Sequence, residues 1–171
     1  MRGLLIVSLL CVGVVGVRTD ETIDRVLALV AGQLIMLTDV TAARDLGLVS
    51  ADAAADPVRA TLSKLIDREL ILAEVDRYAP PEPETEAVDG EVERVRERFQ
   101  SPEAFAVTLA RSGIDEKHLR ETLRKDLRIR AYLDQRFTVP GGTAQRQALV
   151  DEWVAGLRRR ADVIDFYLPG R

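Results

Sequence analysis

Proline placement constrains this chain more than any other feature of its sequence. Proline follows a capping residue at Asp56-Pro57 and again at Ser101-Pro102. Each pair reads as a helix start. The side-chain oxygen accepts from a free N–H of the first turn, and proline at the first helical position gives up no hydrogen bond. Between them, Ala79-Pro80-Pro81-Glu82-Pro83-Glu84 carries three prolines in four residues, which forbids a helix and favours an extended linker. The apolar stretches on either side must therefore be separate helices.

Their periodicity supports that reading. From Pro57 to about Tyr78, the residues Val58, Leu62, Leu65, Ile66, Leu70 and Ala73 share one helical face. Ile71, Leu72 and Val75 widen the stripe, which predicts a helix packed on two sides. After the linker, Asp89 is expected to cap a helix to about Gln100 with Val88, Val92, Val95 and Phe99 inward. The helix from Pro102 carries Phe105 and Leu109 and stops near Gly113. Asp115 is expected to cap a long helix to about Phe137, with Ile114 and Leu119 as a hydrophobic staple. Its core candidates are Leu119, Leu123, Leu127, Ile129, Tyr132 and Leu133. Val139-Pro140-Gly141-Gly142 is a break. Thr143 is expected to cap a last helix to about Arg160, with Leu149, Val150, Trp153, Val154 and Leu157 inward.

The remaining segments read differently. Val26 to Val30 is short, apolar and partly β-branched, Ala31-Gly32-Gln33 offers a turn, and Leu34-Ile35-Met36 can return antiparallel. One continuous amphipathic helix is the rival reading, against which Gly32 and the β-branched flanks argue. Thr38 is expected to cap a short helix from Asp39 to about Leu46, ended by Gly47, with a loop from Val49 to Asp56. Val163 to Leu168 reads as a strand, and a lone strand is unstable. Its natural partner is the hairpin, which would bring the chain ends together. The charged fraction of 30% and the aromatic fraction of 5% suit such a protein. The expected fold class is mainly α: one helical module with a small β-hairpin and a C-terminal strand.

Residues 1–17 read as a secretory signal. Arg2 supplies a positive start, Leu4 to Val17 is apolar apart from Ser8, Gly13 and Gly16, and Gly16 is a small residue at a possible cleavage point. The run falls short of the ~20 residues that span a bilayer comfortably. An uncleaved anchor is the alternative. Cys11, the only cysteine, follows Leu10, where a lipoprotein signal needs a small residue. Cleavage after Val17 would leave 171 − 17 = 154 residues without cysteine, and hence without thiol chemistry.

Little in the sequence suggests catalysis. His118 is the sole histidine, expected to be an exposed helix residue, so a histidine zinc site or triad cannot be assembled. Glu82, Glu84 and Glu86 fall in the linker region, and Asp89, Glu91 and Glu93 alternate in a way that faces no single side of a helix. All are expected to be solvated. Arg120, Arg124 and Arg128 recur every four residues, flanked by Lys125 and Arg130. A solvated face with Glu116–Arg120 and Glu121–Lys125 pairing is the plain reading, and a patch for acidic partners the functional one. Arg158-Arg159-Arg160 suits a helix C-terminus. The net charge of −4, with both signs interspersed, points to neither nucleic acid nor an anionic membrane.

The order of these segments resembles the N-terminal chaperone domain of SurA and related periplasmic foldases. Four stretches carry the likeness. Ile23 to Gln33 with Leu37-Thr38-Asp39-Val40 is similar to the family's opening hairpin, with Ala31 in place of the usual Asn. Leu65-Ile66-Asp67-Arg68-Glu69-Leu70-Ile71-Leu72 resembles its long-helix signature. Ser112-Gly113-Ile114 with Leu119-Arg120 and Leu123-Arg124 resembles the next. Tyr132-Leu133-Asp134-Gln135-Arg136-Phe137 closes it. The likeness covers roughly Glu21 to Phe137, and Trp153 to Leu168 looks like the family's closing helix and strand.

The family often inserts a parvulin isomerase domain between these two parts. Here only Thr138 to Thr143 lies between them, and the family's catalytic histidines have no counterpart. The resemblance implies a bare chaperone module: a signal over 1–17, a helical domain over 18–137, and a helix and strand over 138–171 that complete it. It implies a periplasmic holdase for unfolded outer-membrane or secreted polypeptides, without cofactor, metal, nucleic acid or stable membrane insertion. A structural or adaptor subunit with one dedicated partner is the alternative. The Gly141-Gly142 connection allows either a monomer or a swapped homodimer. Peptide-binding residues cannot be told from core residues at this level, and none is assigned.

Overall fold

The computed structural model describes residues 24–50, 54–138 and 142–168. The expected signal over 1–17 and the Val139 to Gly141 part of the break lie outside the described residues, as do 51–53 of the expected loop. In chain order the elements are β1 (Val26–Val30), β2 (Gln33–Met36), α1 (Leu37–Asp45), α2 (Pro57–Tyr78), α3 (Thr85–Arg96), α4 (Pro102–Arg111), α5 (Glu116–Arg136), α6 (Gly142–Arg160) and β3 (Val163–Asp165). The chain is mainly helical, with a three-stranded antiparallel sheet in the order β2-β1-β3.

The hairpin turns on two residues, Ala31 and Gly32, both with positive φ (49° and 82°). Gln33 already pairs with Val30 and belongs to β2 rather than to the turn. Double positive φ is the geometry that matches the twist of the flanking strands. Gly32 adopts it freely, whereas the Cβ of Ala31 resists it. A register shift between Val26 and Ala28 leaves Leu27 fully buried, together with Ala28 and Val30. On the other side of β1, β3 pairs Val30 with Val163, Leu29 with Ile164 and Ala28 with Asp165. The strand stops at Asp165, shorter than the expected Val163 to Leu168. The Phe166 N–H still bonds Leu27 O at 2.9 Å, but Asp165 Oδ1 accepts from the Tyr167 N–H and bends the chain off the sheet.

Helix starts follow the capping chemistry at Asp56, Ser101 and Asp115, and depart from it at Thr38, Asp89 and Thr143. Asp56 accepts from the Arg59 N–H at 2.9 Å, Ser101 from Ala104 at 3.2 Å and Asp115 from His118 at 2.7 Å. Thr38 does not cap α1. That helix starts at Leu37, and the Met36 N–H is taken by Asp39 Oδ2 at 2.8 Å. Thr38 is held by Asp24, whose carboxylate accepts both its N–H and its hydroxyl. Asp89 does not cap α3 either. The helix begins at Thr85, two residues after the last proline of the linker, with Glu84 as N-cap. It ends at Arg96, short of Gln100, because i→i+3 bonds tighten residues 97–99 and turn Phe99 onto Phe105, ring centroids 5.5 Å apart. At the end of α4, Gly113 takes φ 74°, and a Cβ there would lie 2.9 Å from Thr38 Cγ2. Glycine is required at that position by both its conformation and its space.

Two apolar clusters form. The larger joins the sheet to α2, α5 and α6 through Leu27, Val30, Ile35, Leu62, Ile66, Leu70, Val75, Tyr132 and Leu157. The smaller joins α1, α3, α4 and α5 through Leu46, Val92, Val95, Phe105, Leu109, Leu119 and Leu123. Leu127 is half-buried and in neither cluster. On α6 the inward stripe is Val150, Trp153, Val154 and Leu157. Leu149 lies about 100° away from Val150 round the helix and is 37% exposed, not inward as expected. The helix itself begins at Gly142, one residue before the expected cap at Thr143.

Two outcomes follow from this packing. Ala31→Asn should raise the unfolding free energy by up to about 1 kcal/mol, because Asn tolerates the left-handed region better than Ala. Chemical denaturation of both proteins measures it, and an unchanged midpoint would contradict the turn geometry. A chain ending at Thr143 loses Leu157, Val163 and the aromatic contact of Trp153 with Tyr132 (6.1 Å) and Phe137 (5.5 Å). At about 1.5–3 kcal/mol for each large buried side chain, it should lose its cooperative thermal transition.

Candidate functional site

Between α1, α2, α5 and α6 lies an open cleft of about 1080 Å³. One face of α5 lines it from end to end: His118 and Leu119, Thr122, Lys125 and Asp126, Ile129 and Arg130, Leu133 and Asp134. This i, i+3, i+4, i+7 spacing is that of one helix face; Leu119 on it is fully buried, while Ile129 and Leu133 are half-buried at the cleft. Opposite it, α2 contributes Leu65, Arg68, Glu69 and Ile71, and α6 contributes Val150 and Val154. All four residues of β2 form a further wall, with Asp39, Ala42 and Ala43 of α1.

Apolar surface lies at the two ends. Leu65, Ile129, Leu133 and Val154 border the larger cluster, while Leu48 and Ile114 border the smaller. Between the ends stands a polar crossbar. From α2, Arg68 donates through Nε to Asp126 Oδ1 (2.6 Å), through Nη2 to Thr122 O (3.0 Å) and through Nη1 to Glu69 Oε1 (2.7 Å). Its side chain is only 17% exposed. Two of these bonds cross to α5 and fix the spacing of the two helices at this level, while Glu69, on α2 itself, holds the planar guanidinium in place.

The lining is charge-balanced, with six basic and six acidic side chains. Several are paired with one another. Arg146 meets Asp134 at 2.6 Å, and Arg158 meets Asp67 and also bonds Ser63 O at 2.6 Å. Arg158 therefore joins α6 to α2 as well as suiting the end of its own helix. No net charge remains to select a strongly acidic or basic ligand.

The residues singled out in the sequence are placed as follows. His118 is half-exposed at the cleft wall, its Nε2 3.6 Å from Asp39 Oδ1. Arg120, Arg124 and Arg128 do not form a free basic face. Arg120 is paired with Asp89 of α3, and Arg128 with Asp76 (2.9 Å) and with Glu82 of the linker (3.1 Å). The expected pairing of Glu116 with Arg120 is replaced by Glu116 with Arg96 at 3.2 Å. Glu91 is not solvated. It is buried between α3 and α5, bonded to Arg130 at 2.8 Å and Arg94 at 2.5 Å. Among the described residues, no group of three or more His, Cys, Asp or Glu is placed to hold a metal ion, and no helix is long and apolar enough to cross a membrane.

Cleft residues could not be chosen from the sequence because Ile129 and Leu133 repeat with the same helical period as buried Leu119 and Leu123. The one available signal was excess width. The apolar and amphipathic positions of α5 cover more of its circumference than α3 alone can bury. Comparison with known protein families and with curated proteins finds no match for this chain.

Burial pushes the Glu91 carboxyl up, but the Arg130 and Arg94 guanidiniums outweigh it and hold the group below its ordinary 4.5. A depressed carboxyl stabilises the fold above its unfolded-state pKa, and that contribution is lost as pH falls through the lower folded value. Glu91→Gln should therefore be less stable than the parent at neutral pH, with the gap closing below about pH 4.5. Denaturation midpoints of both proteins from pH 3 to 7 test this, and parallel curves would refute it.

Proposed function

We propose that this chain is an exported, non-catalytic holdase of the SurA-like kind, which shields unfolded polypeptides in the cleft between α1, α2, α5 and α6. The observation that carries the reading is the open cleft of about 1080 Å³, in which the half-buried Ile129 and Leu133 of α5 lie with Leu65 of α2 and Val154 of α6. A cleft with apolar ends and balanced charge suits a ligand defined by exposed hydrophobic side chains rather than by one functional group. The short connection after α5 and the family likeness of the long helices point the same way. On this reading residues 1–17 direct export to the periplasm, the clients are unfolded outer-membrane or secreted polypeptides, and neither cofactor nor isomerisation is involved.

The action would be passive. A client segment lays apolar side chains against Leu65, Ile129, Leu133 and Val154 and is withheld from aggregation while it stays there. Ordering an unfolded chain costs entropy, so affinity should be on the order of micromolar. Weak binding suits a chaperone that must release its client without an energy source.

The test is suppression of light scattering by a diluted, denatured outer-membrane protein. The purified protein should suppress it at a few-fold molar excess, and Ile129→Glu with Val154→Glu should not, while keeping its helical circular dichroism. An Xaa-Pro peptide assay on the same sample should give the uncatalysed rate, set by a barrier of ~18–20 kcal/mol. One tight complex with a single extracytoplasmic partner, and no effect on denatured clients, would instead favour the adaptor role.

A further inference from the structure

We infer that β2 is a docking edge: an extended client segment joins the sheet there as a short fourth strand, held by the main chain of Leu34. This rests on the holdase reading and specifies how its ligand is bound.

The direction of the free groups follows from the register. The turn has two residues, so Val30 and Gln33 exchange both main-chain bonds, and antiparallel alternation makes Leu29 and Leu34 a pair that exchanges none. Two bonds outside the ladder agree. The Phe166 N–H bonds Leu27 O, so Leu27 and, two residues on, Leu29 turn their main-chain groups toward β3 rather than β2. Met36, two residues beyond Leu34, turns its N–H away from β1 to Asp39 Oδ2. The N–H and C=O of Leu34 therefore point off the sheet. Among the described residues β1 is the only strand beside β2, and no other main-chain group bonds to Leu34.

That edge faces the cleft. Neighbouring residues of a strand point to opposite faces, yet all four residues of β2 line the cleft, as they do when it runs along the strand's edge. Asp39, on the outward side of Met36, lines it as well.

The two edges of the sheet are treated differently. On β3, Asp165 is paired with Arg59 and accepts from the Tyr167 N–H, and the strand ends after three residues. Charge and shortness are how proteins close an edge to strand pairing. β2 carries neither charge nor proline, and Leu34 is exposed. Its side chain lies in a row with Leu29 and Ile164, paired directly across the three strands. A client residue opposite Leu34 extends that row, which favours Val or Ile there over Gly or Asp. Asp39 occupies the next outward position, so the added strand ends beside Met36.

Amide exchange by NMR on the full chain tests this, with a fluorescein-labelled nonapeptide of alternating Val and Ser as the probe. In the free protein the Leu34 N–H should exchange fast, and that of Ile35, paired with Ala28, slowly. Saturating peptide should slow Leu34 by about tenfold or more, the protection that two new main-chain bonds supply. Leu34→Pro removes the outward N–H and no ladder bond, a placement that an edge strand tolerates. By anisotropy it should bind the peptide about tenfold more weakly than Leu34→Ala, which keeps the N–H. If Leu34→Pro loses its native circular dichroism, the exchange measurement on the unaltered chain decides. Peptide bound without slowing of Leu34, no peptide bound by a protein that still suppresses aggregation, or equal affinity of the two folded variants would overturn the inference and leave the holdase reading intact. Absence of binding together with failure to suppress aggregation would remove the holdase reading and the inference with it. Slow exchange of Leu34 in the free protein, or self-association that Leu34→Pro abolishes, would show the edge already taken by this chain or by a second copy, and the inference would also fall.

Discussion

Everything in this fold leans on the burial of α2 from two sides. Leu62, Ile66, Leu70 and Val75 are almost fully enclosed, along with Ile71 and Leu72 on the widened stripe. Each such side chain contributes about 1.5–3 kcal/mol when taken out of water. The sheet and α6 have their core on this helix, and α5 docks on it through Tyr132 while sharing a second core with α3 and α4. Its ends are fixed with corresponding care. Asp56 caps the start and holds the Tyr167 hydroxyl at 2.9 Å, while Ala79 ends it in the left-handed conformation at φ 42°, just before the proline linker.

Much of this was legible in the sequence, for a definite reason. Proline and its capping neighbours act locally, so α2, α4 and the start of α5 could be placed from adjacent residues alone. Where the deciding partner lies far along the chain, local reading failed. Thr38 has the chemistry of a cap, but Asp24, fourteen positions earlier, takes its hydroxyl and N–H, and Asp39 serves the helix start instead. Asp89 also has the chemistry of a cap, yet it sits inside α3 facing Arg120. Leu149 and Val150 are both apolar neighbours, and only the docking angle of α6 decides that Val150 is buried and Leu149 is not.

The charged residues show the same division. Helix pairs at i and i+4 are the natural reading of alternating Glu and Arg, but the arginines of α5 reach other elements: Arg120 to α3, Arg128 to α2 and the linker, Arg130 to Glu91. Exposed pairs of this kind add little each. The enclosed ones matter more for geometry. Arg68 fixes how far α5 stands from α2, and Glu91 fixes α3 against α5. With α5 bound to α3 on one face and tied to α2 through Arg68, Arg128 and Tyr132, Ile129 and Leu133 are left half-buried at the edge of the larger cluster.

That arrangement also explains why the cleft persists instead of collapsing. Arg68 stands between α2 and α5, bonded to Thr122 O and Asp126, and closing the helices onto one another would displace it from those partners. A buried charge that loses its partners costs several kcal/mol, more than two half-buried aliphatic side chains could return. On the far side, Arg158 ties α6 to Asp67 and Ser63, and Arg146 ties it to Asp134, so α6 cannot slide inward as a lid without breaking its own ion pairs. The sheet holds the other end of α6 through β3, whose pairing with β1 is short but locked by Tyr167 on Asp56. The half-buried apolar lining of the cleft is therefore held open by polar bonds at three levels.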